Sequence, residues 1–208
     1  MIDNTDFPQD WAAYYEKTSG RPPRETLLLA LDRFDRVAVV EGRFAVDLAC
    51  GGGRDTIELL RRGWRVLAID AQPAAIEKLT ARDDLPAGAN LIGQNASFEQ
   101  AEWPRCDLVN CSFALPLMAS DDFNVVWRRI TGSLNPGGRI ACQLYGPRDS
   151  WAGRPGMTFH DRDAIDSLLE GFDVEMLREE EEDSTTVRGK DKHWHIFHIV
   201  ACKSGGTD

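Results

Sequence analysis

Val46-Asp47-Leu48-Ala49-Cys50-Gly51-Gly52-Gly53-Arg54-Asp55-Thr56 is where the strand period of this chain gives way to a helix period. The apolar run Phe44-Ala45-Val46 predicts the end of a buried strand. Three consecutive glycines predict a tight turn, and Ile57, Leu59 and Leu60 follow at the spacing of a helix face. A strand, a glycine-rich turn and a helix make the front of a nucleotide-binding βα unit. Glycine has no Cβ, so the backbone here is open to close approach by a ligand. Asp47 stands before the turn, where an acid repels a pyrophosphate and welcomes a cation.

Outward from this unit the same alternation repeats. Trp64–Asp70 predicts a second strand that again ends on an acid, and Pro73-Ala74-Ala75-Ile76 opens a helix after it. Asn90–Phe98 predicts a short third strand with its turn. Cys106–Phe113 predicts a fourth, closed by Leu115-Pro116. Ser120–Leu134 reads as a helix, broken by Asn135-Pro136-Gly137-Gly138 before a fifth strand over Arg139–Tyr145. Asp161–Leu169 carries a helical apolar stripe of Ala164, Ile165, Leu168 and Leu169. Phe172–Leu177 and His193–Ala201 predict the last two strands. No crossover helix separates them, so they pair antiparallel as a hairpin. The acid run Glu179–Asp183 between them reads as a solvated face, and Arg188-Gly189-Lys190 as a turn. The expected fold is α/β: a Rossmann-like, seven-stranded, mostly parallel sheet with helices on both faces and a C-terminal antiparallel β-hairpin.

The chain has 208 residues, which suits one domain with one sizeable core. Residues 1–36 are expected to form an N-terminal helical lid segment and residues 43–203 the Rossmann-like core. The net charge of −10 disfavours nucleic acid and anionic membranes as partners, which leaves a small molecule as the default ligand. The five cysteines form no CxxC pair and their number is odd, as expected of buried thiols in a reducing compartment without a disulfide or zinc framework. The polar, acidic Met1–Asp6 does not read as a signal peptide, and no apolar run reaches the length of a membrane span. A cytoplasmic protein, monomer or homodimer, is expected. The tail Lys203–Asp208 is expected to be disordered.

Trp11, Tyr14 and Tyr15 share one face of a short helix within residues 7–20. That face either packs on the body or folds over a ligand. A second helix follows over Thr26–Phe34, with Leu27, Leu28, Leu31 and Phe34 inward. Arg21 and Arg24 lie between the two helices and offer a grip for a carboxylate, or stand solvated at the surface. Asp70 lies seventeen residues past Gly53, near the offset at which Rossmann-type folds place an acid for the ribose hydroxyls. The plainer role for Asp70 is to cap the helix that follows. His193 and His195 share a face of the last strand, and Lys192-His193-Trp194-His195 is either part of an acceptor wall or ordinary sheet. No third ligand with suitable spacing supports zinc, so no metal is expected.

These residues resemble the class I S-adenosylmethionine-dependent methyltransferases over most of the chain, and more narrowly the small bacterial, tellurite-resistance-like type. Asp47–Gly53 resembles the family's glycine-rich first motif, D-x-G-x-G-x-G, with Ala49 at the first glycine. Asp70 sits where the family's ribose-binding acid sits. Ala96-Ser97-Phe98 resembles the segment flanking the adenine, with Gln94 or Asn95 in place of the usual acid. Asp107–Leu115 resembles the motif after strand four, and Leu134–Gly138 the family's L-x-P-G-G turn. The resemblance implies S-adenosyl-L-methionine as cofactor. Its contacts would come from Asp47, Leu48, Ala49, Cys50, Gly51 and Gly53; from Asp70, Ala71 and Gln72; from Asn95, Ala96, Ser97 and Phe98; from Cys111, Ser112 and Phe113; and from Tyr15 and Arg24. It also implies methyl transfer to a small-molecule N, O or S acceptor. The acceptor pocket is expected where Tyr14, Tyr15, Phe113, Tyr145 and the hairpin converge. Methyl transfer from a sulfonium rests mainly on alignment, and no catalytic residue is assigned. The alternatives are a non-catalytic module that binds this cofactor or its demethylated product and, further off, a nicotinamide-dependent oxidoreductase. The latter would want a third glycine three places after Gly53, where Thr56 stands.

Overall fold

The structure, a computed structural model, describes residues 11–18, 20–37 and 42–205. The part of the first expected helix before Trp11 and the last three residues of the expected tail lie outside the described residues. Two N-terminal helices, α1 (Trp11–Thr18) and α2 (Glu25–Asp35), lead into β1 (Phe44–Leu48), α3 (Arg54–Arg61), β2 (Arg65–Asp70), α4 (Pro73–Thr80), β3 (Leu91–Asn95) and β4 (Cys106–Cys111). Then come α5 (Ser120–Ser133), β5 (Leu134–Tyr145), α6 (Arg162–Leu168), β6 (Phe172–Thr185) and β7 (Asp191–Lys203). The seven strands form one sheet in the order β3-β2-β1-β4-β5-β7-β6. β1 to β5 pair in parallel, and β7 runs antiparallel to both β5 and β6. The expected mostly parallel sheet with its closing hairpin is therefore present.

Strand alternation divides the core in two. Val46, Leu48, Val109, Ile140 and Ile199 face α5 and α6, where Phe123, Ile130 and Ile165 are fully buried. Ala45, Ala68, Leu108, Ala141 and Val200 face α2 and α3, against Leu27, Leu31 and Leu59. The opposite sides taken by Ala45 and Val46 follow from the period of two along a strand. Both faces are covered, as a parallel sheet requires.

Three segments depart from the sequence expectation. Asn135–Gly138 does not end pairing: Leu134 already pairs with Cys106, and β5 runs through the Pro-Gly-Gly segment with an irregularity that shifts the register before Leu108. Asp107 absorbs the bend, its carboxylate accepting from Asn135 Nδ2 at 2.9 Å and from the Phe44 amide at 2.9 Å. The acid run Glu179–Asp183 is strand, not loop. β6 pairs with β7 as far as Thr185–Asp191, so the hairpin extends beyond the end of β5. Basic groups opposite make this tolerable: Arg148 bridges Glu179 and Glu181, and His193 meets Glu181 and Asp183. At the tail, Lys203 belongs to β7, and its ammonium donates to the last-turn carbonyl of Thr131 at 2.7 Å and to the Leu134 carbonyl at 3.1 Å.

Candidate cofactor site

The site begins with backbone geometry at the carboxyl end of β1. The chain turns at Ala49 and Gly51, both at positive φ (55° and 53°), and enters α3 through Gly53 at φ 82°. Gly53 is required twice over: its conformation is left-handed, and a Cβ there would meet Leu79 Cδ1 at 2.3 Å. Ala49 is the strained member, because its methyl group makes a left-handed residue cost roughly 1–2 kcal/mol. Replacing Ala49 by Gly should therefore raise stability by about 0.5–1 kcal/mol once the added freedom of the unfolded chain is set against the relieved strain. A shift of the urea midpoint to higher concentration at constant slope checks this, and a fall in the midpoint would contradict it.

Asp70, the last residue of β2, anchors this turn. Its Oδ2 accepts from the Gly51 amide at 2.9 Å and its Oδ1 from the Gln72 amide at 2.8 Å. The Asp70 carbonyl accepts from the Ala96 amide at 3.1 Å and from Asn95 Nδ2 at 2.9 Å. Burial raises the pKa of Asp70, and the two amides oppose that shift. Asp70 is not the cap of α4: that position is Gln72, which has no side-chain cap bond, and Asp70 Oδ1 instead accepts from the Gln72 backbone amide. Asp70 closes the turn before α4, and its carboxylate also lies against the glycine turn. Tyr15 reaches the same carboxylate from α1, with its hydroxyl 3.3 Å from Oδ1 and 3.5 Å from Oδ2. The Tyr15 ring packs on Gly51, lies 6.0 Å from Trp11 in a stacked pair, and is buried. Arg82 braces the far side of the turn, donating to the Gly52 carbonyl at 2.9 Å and pairing with Asp84.

Beneath the turn lies a buried acidic cluster that sequence reasoning found only in part. Asp47 does not present its carboxylate to the surface. It accepts from the Thr56 hydroxyl and, at 2.8 Å, from Asn110 Nδ2. Asp55 accepts from the same amide at 3.2 Å, from the Ser112 hydroxyl at 2.7 Å and from the Arg24 backbone at 2.9 Å. Burial pushes the Asp47 pKa up to about 7, helped by the Asp55 charge, while the Thr56 and Asn110 hydrogen bonds pull it down. Asn110 Oδ1 is buried without a hydrogen-bond partner among the described residues. Two acids and an unpartnered carbonyl oxygen make this an electronegative seat. The missed signals were polar residues inside apolar strands: Asn110 in β4 and Gln143 in β5.

A second group lies where β4 and β5 end, beside the first half of β7. Phe113 follows β4 at φ 61°, a strained conformation for a ring-bearing residue. Its amide donates to Gln143 Oε1 at 3.1 Å, and Gln143 Nε2 donates to the Thr26 hydroxyl at 2.8 Å, which ties the start of α2 to β5. The Arg24 guanidinium lies 4.3 Å from the centroid of Phe113, and burial lowers its pKa. Tyr145 and His198 flank Phe113 at centroid distances of 6.4 and 6.2 Å. Beyond Tyr145, the Lys192 ammonium is buried in an ion pair with Asp149, 4.0 Å from the Trp151 centroid and 4.2 Å from that of Trp194.

The sequence-predicted residues therefore divide. Tyr15, Ala49, Cys50, Gly51, Gly53, Asp70, Gln72, Asn95 and Ala96 converge on the glycine turn and the end of β2. Ala71 is exposed beside them, with Ser97 and Phe98 half-buried in the turn after β3. Arg24, Ser112 and Phe113 gather at the end of β4. Leu48 and Cys111 are fully buried and present no surface to a ligand. Burial keeps the Cys50 and Cys111 thiols neutral by raising their pKa values. Of the expected acceptor wall, Lys192 and Trp194 lie toward Tyr145. His193 and His195 point to the opposite face, where they meet Asp183, Glu181 and Glu179. Among the described residues no helix is long and apolar enough to cross a membrane.

Sheet order, glycine turn and acid-tipped β2 together define the Rossmann-like fold of the class I methyltransferases. Residues 45–138 match the family described as "Methyltransferase domain". A trans-aconitate 2-methyltransferase of Methylobacterium radiotolerans is 31% identical over 141 residues, covering 65% of this chain and 49% of that protein. The chain spans about half the length of the curated relatives it matches. Among solved structures, TehB from Haemophilus influenzae superposes with a TM-score of 0.69 at 14% identity, covering 84% of this chain and 61% of that one. Magnesium protoporphyrin IX methyltransferase from Synechocystis PCC 6803, with bound SAH, gives 0.68 at 14% identity, covering 93% and 94%. At such identities the likeness speaks for the fold.

Proposed function

We propose that this chain binds S-adenosylmethionine (SAM) and transfers its methyl group to a small-molecule N, O or S acceptor, as a single domain, monomeric or homodimeric, in the cytoplasm. The observation that carries the reading is Asp70. Its carboxylate is fixed by two backbone amides against a glycine turn, and the two acceptor sites left on it, spanned here by the Tyr15 hydroxyl, are those that the two hydroxyls of a ribose would take. The residues fit the rest of the cofactor chemically. The electronegative seat of Asp47, Asp55 and Asn110 Oδ1 favours an ammonium and disfavours a pyrophosphate. Arg24 supplies a guanidinium for a carboxylate. Asn95 and Ala96, beside Asp70, suit the purine side.

When bound, the cofactor supplies a methyl group on a sulfonium, already a good leaving group. The protein's part is then to align and to exclude water. Tyr15 and the α1 helix cover the glycine turn. Phe113, Tyr145 and the hairpin form the side from which an acceptor would approach, with the strained Phe113 held by Gln143. The curated relative named for trans-aconitate lends some support to a small acceptor. Calorimetric titration with SAM, S-adenosylhomocysteine (SAH) and NADH tests the reading. Micromolar binding of the first two and none of the third is expected. Binding of SAH alone would favour the non-catalytic module, and binding of NADH alone would refute the methyltransferase reading.

A further inference from the structure

The Asp70 carboxylate has room for about four accepted hydrogen bonds. The Gly51 and Gln72 amides use one site on each oxygen, which leaves one on each. The Tyr15 hydroxyl spans these two remaining sites, at 3.3 and 3.5 Å. A ribose cis-diol needs the same two. The Tyr15 ring cannot simply slide aside, because it is packed on Gly51 and stacked against Trp11. The Thr18 hydroxyl closes the same helix on the Tyr14 carbonyl at 2.9 Å.

We propose that Tyr15 sets the cofactor affinity of this site by competing with the ribose diol for Asp70, its hydroxyl being the group that the diol must displace. The inference rests on the cofactor reading above and sharpens it. Tyr15 is a positioning residue whose ring favours a closed α1 and whose hydroxyl works against ligand entry. The two roles separate in Tyr15→Phe, which keeps the ring and removes only the competing donor. The hydroxyl-to-carboxylate bonds are long, so the net competition is modest: a few-fold to about tenfold in affinity, the range of one hydrogen bond exchanged against another.

The test is calorimetry on the full chain with SAH and with its 2′-deoxy analogue, for wild type and Tyr15→Phe, together with stopped-flow association rates. Tyr15→Phe should bind SAH about three- to tenfold tighter and associate faster, and the gain should shrink for the 2′-deoxy analogue, which offers Asp70 one hydroxyl fewer. Without ligand, amide exchange in α1 should be faster in Tyr15→Phe than in wild type. Unchanged or weaker SAH binding by a folded Tyr15→Phe, or an equal gain for both ligands, would overturn the proposal. If wild type and variant alike fail to bind SAH, the cofactor reading itself falls and takes this inference with it. A Tyr15→Phe-specific effect can neither rescue nor imitate that result.

Discussion

Asp70→Ala should weaken binding of SAM by about 10²–10³-fold, while the protein stays folded. Two hydrogen bonds from the ribose hydroxyls to an ionised carboxylate contribute roughly 1.5–3 kcal/mol each, and a loss of about 3–4 kcal/mol corresponds to that factor. The substitution also removes the acceptor for the Gly51 and Gln72 amides, so the turn loosens and part of the loss comes from a less ordered cradle. Asp70→Asn separates the two contributions. It keeps one oxygen for an amide but turns an NH2 group toward the other, so its loss should lie between those of wild type and Ala. Calorimetry reads the affinity, and the far-UV spectrum and thermal midpoint report folding. Unchanged affinity in a folded Asp70→Ala would show that the ribose does not sit at the end of β2.

The strand–turn–helix at residues 44–61 was legible because it depends on backbone conformation, which glycine and strand period announce locally. The closing hairpin was legible for a related reason: two strand patterns with no helix between them have one simple way to pair. The length of that hairpin was not legible. Glu179–Asp183 is a solvated acid run by composition, and it becomes strand only because Arg148, His193 and His195 stand opposite it. The Pro-Gly-Gly of β5 misled in the same way, since the pairing of Leu134 before it with Cys106 of β4 is a tertiary fact. At the site, Asp70 and the glycines could be read from spacing. The Asp47–Asn110–Asp55 cluster could not, because Asn110 lies 63 residues from Asp47 and 55 from Asp55. The sequence left the Tyr15 face open between packing on the body and folding over a ligand, and its contact with Asp70, also across 55 residues, was not legible.

Lys192→Met should destabilise the fold by about 3–5 kcal/mol, the usual cost of leaving one member of a buried ion pair without its partner. Both side chains are essentially inaccessible, at 1% and 0% exposure for Lys192 and Asp149. Asp149 is also committed elsewhere. Its Oδ1 accepts from the Trp151 amide at 2.9 Å and its Oδ2 from the His195 amide at 3.3 Å, so the carboxylate cannot turn out to water without breaking the loop after β5. The ammonium further contacts the faces of Trp151, Trp194 and Tyr145, attractions that a thioether only partly replaces. The double variant Lys192→Met/Asp149→Asn should be less destabilised than the sum of the singles. Removing both charges abolishes the uncompensated one, while the asparagine oxygen still accepts a backbone amide. Strict additivity in denaturant unfolding would mean that the pair is not coupled. The effect should also reach the acceptor side: Tyr145 is held between Phe113 and the Trp151–Trp194 pair, so loosening this cluster removes the wall against which an acceptor would be aligned. Near its unfolding threshold, Lys192→Met should therefore lose methyl-transfer competence before it loses SAH binding, because Asp70 and the glycine turn belong to the other half of the sheet, at β1 and β2.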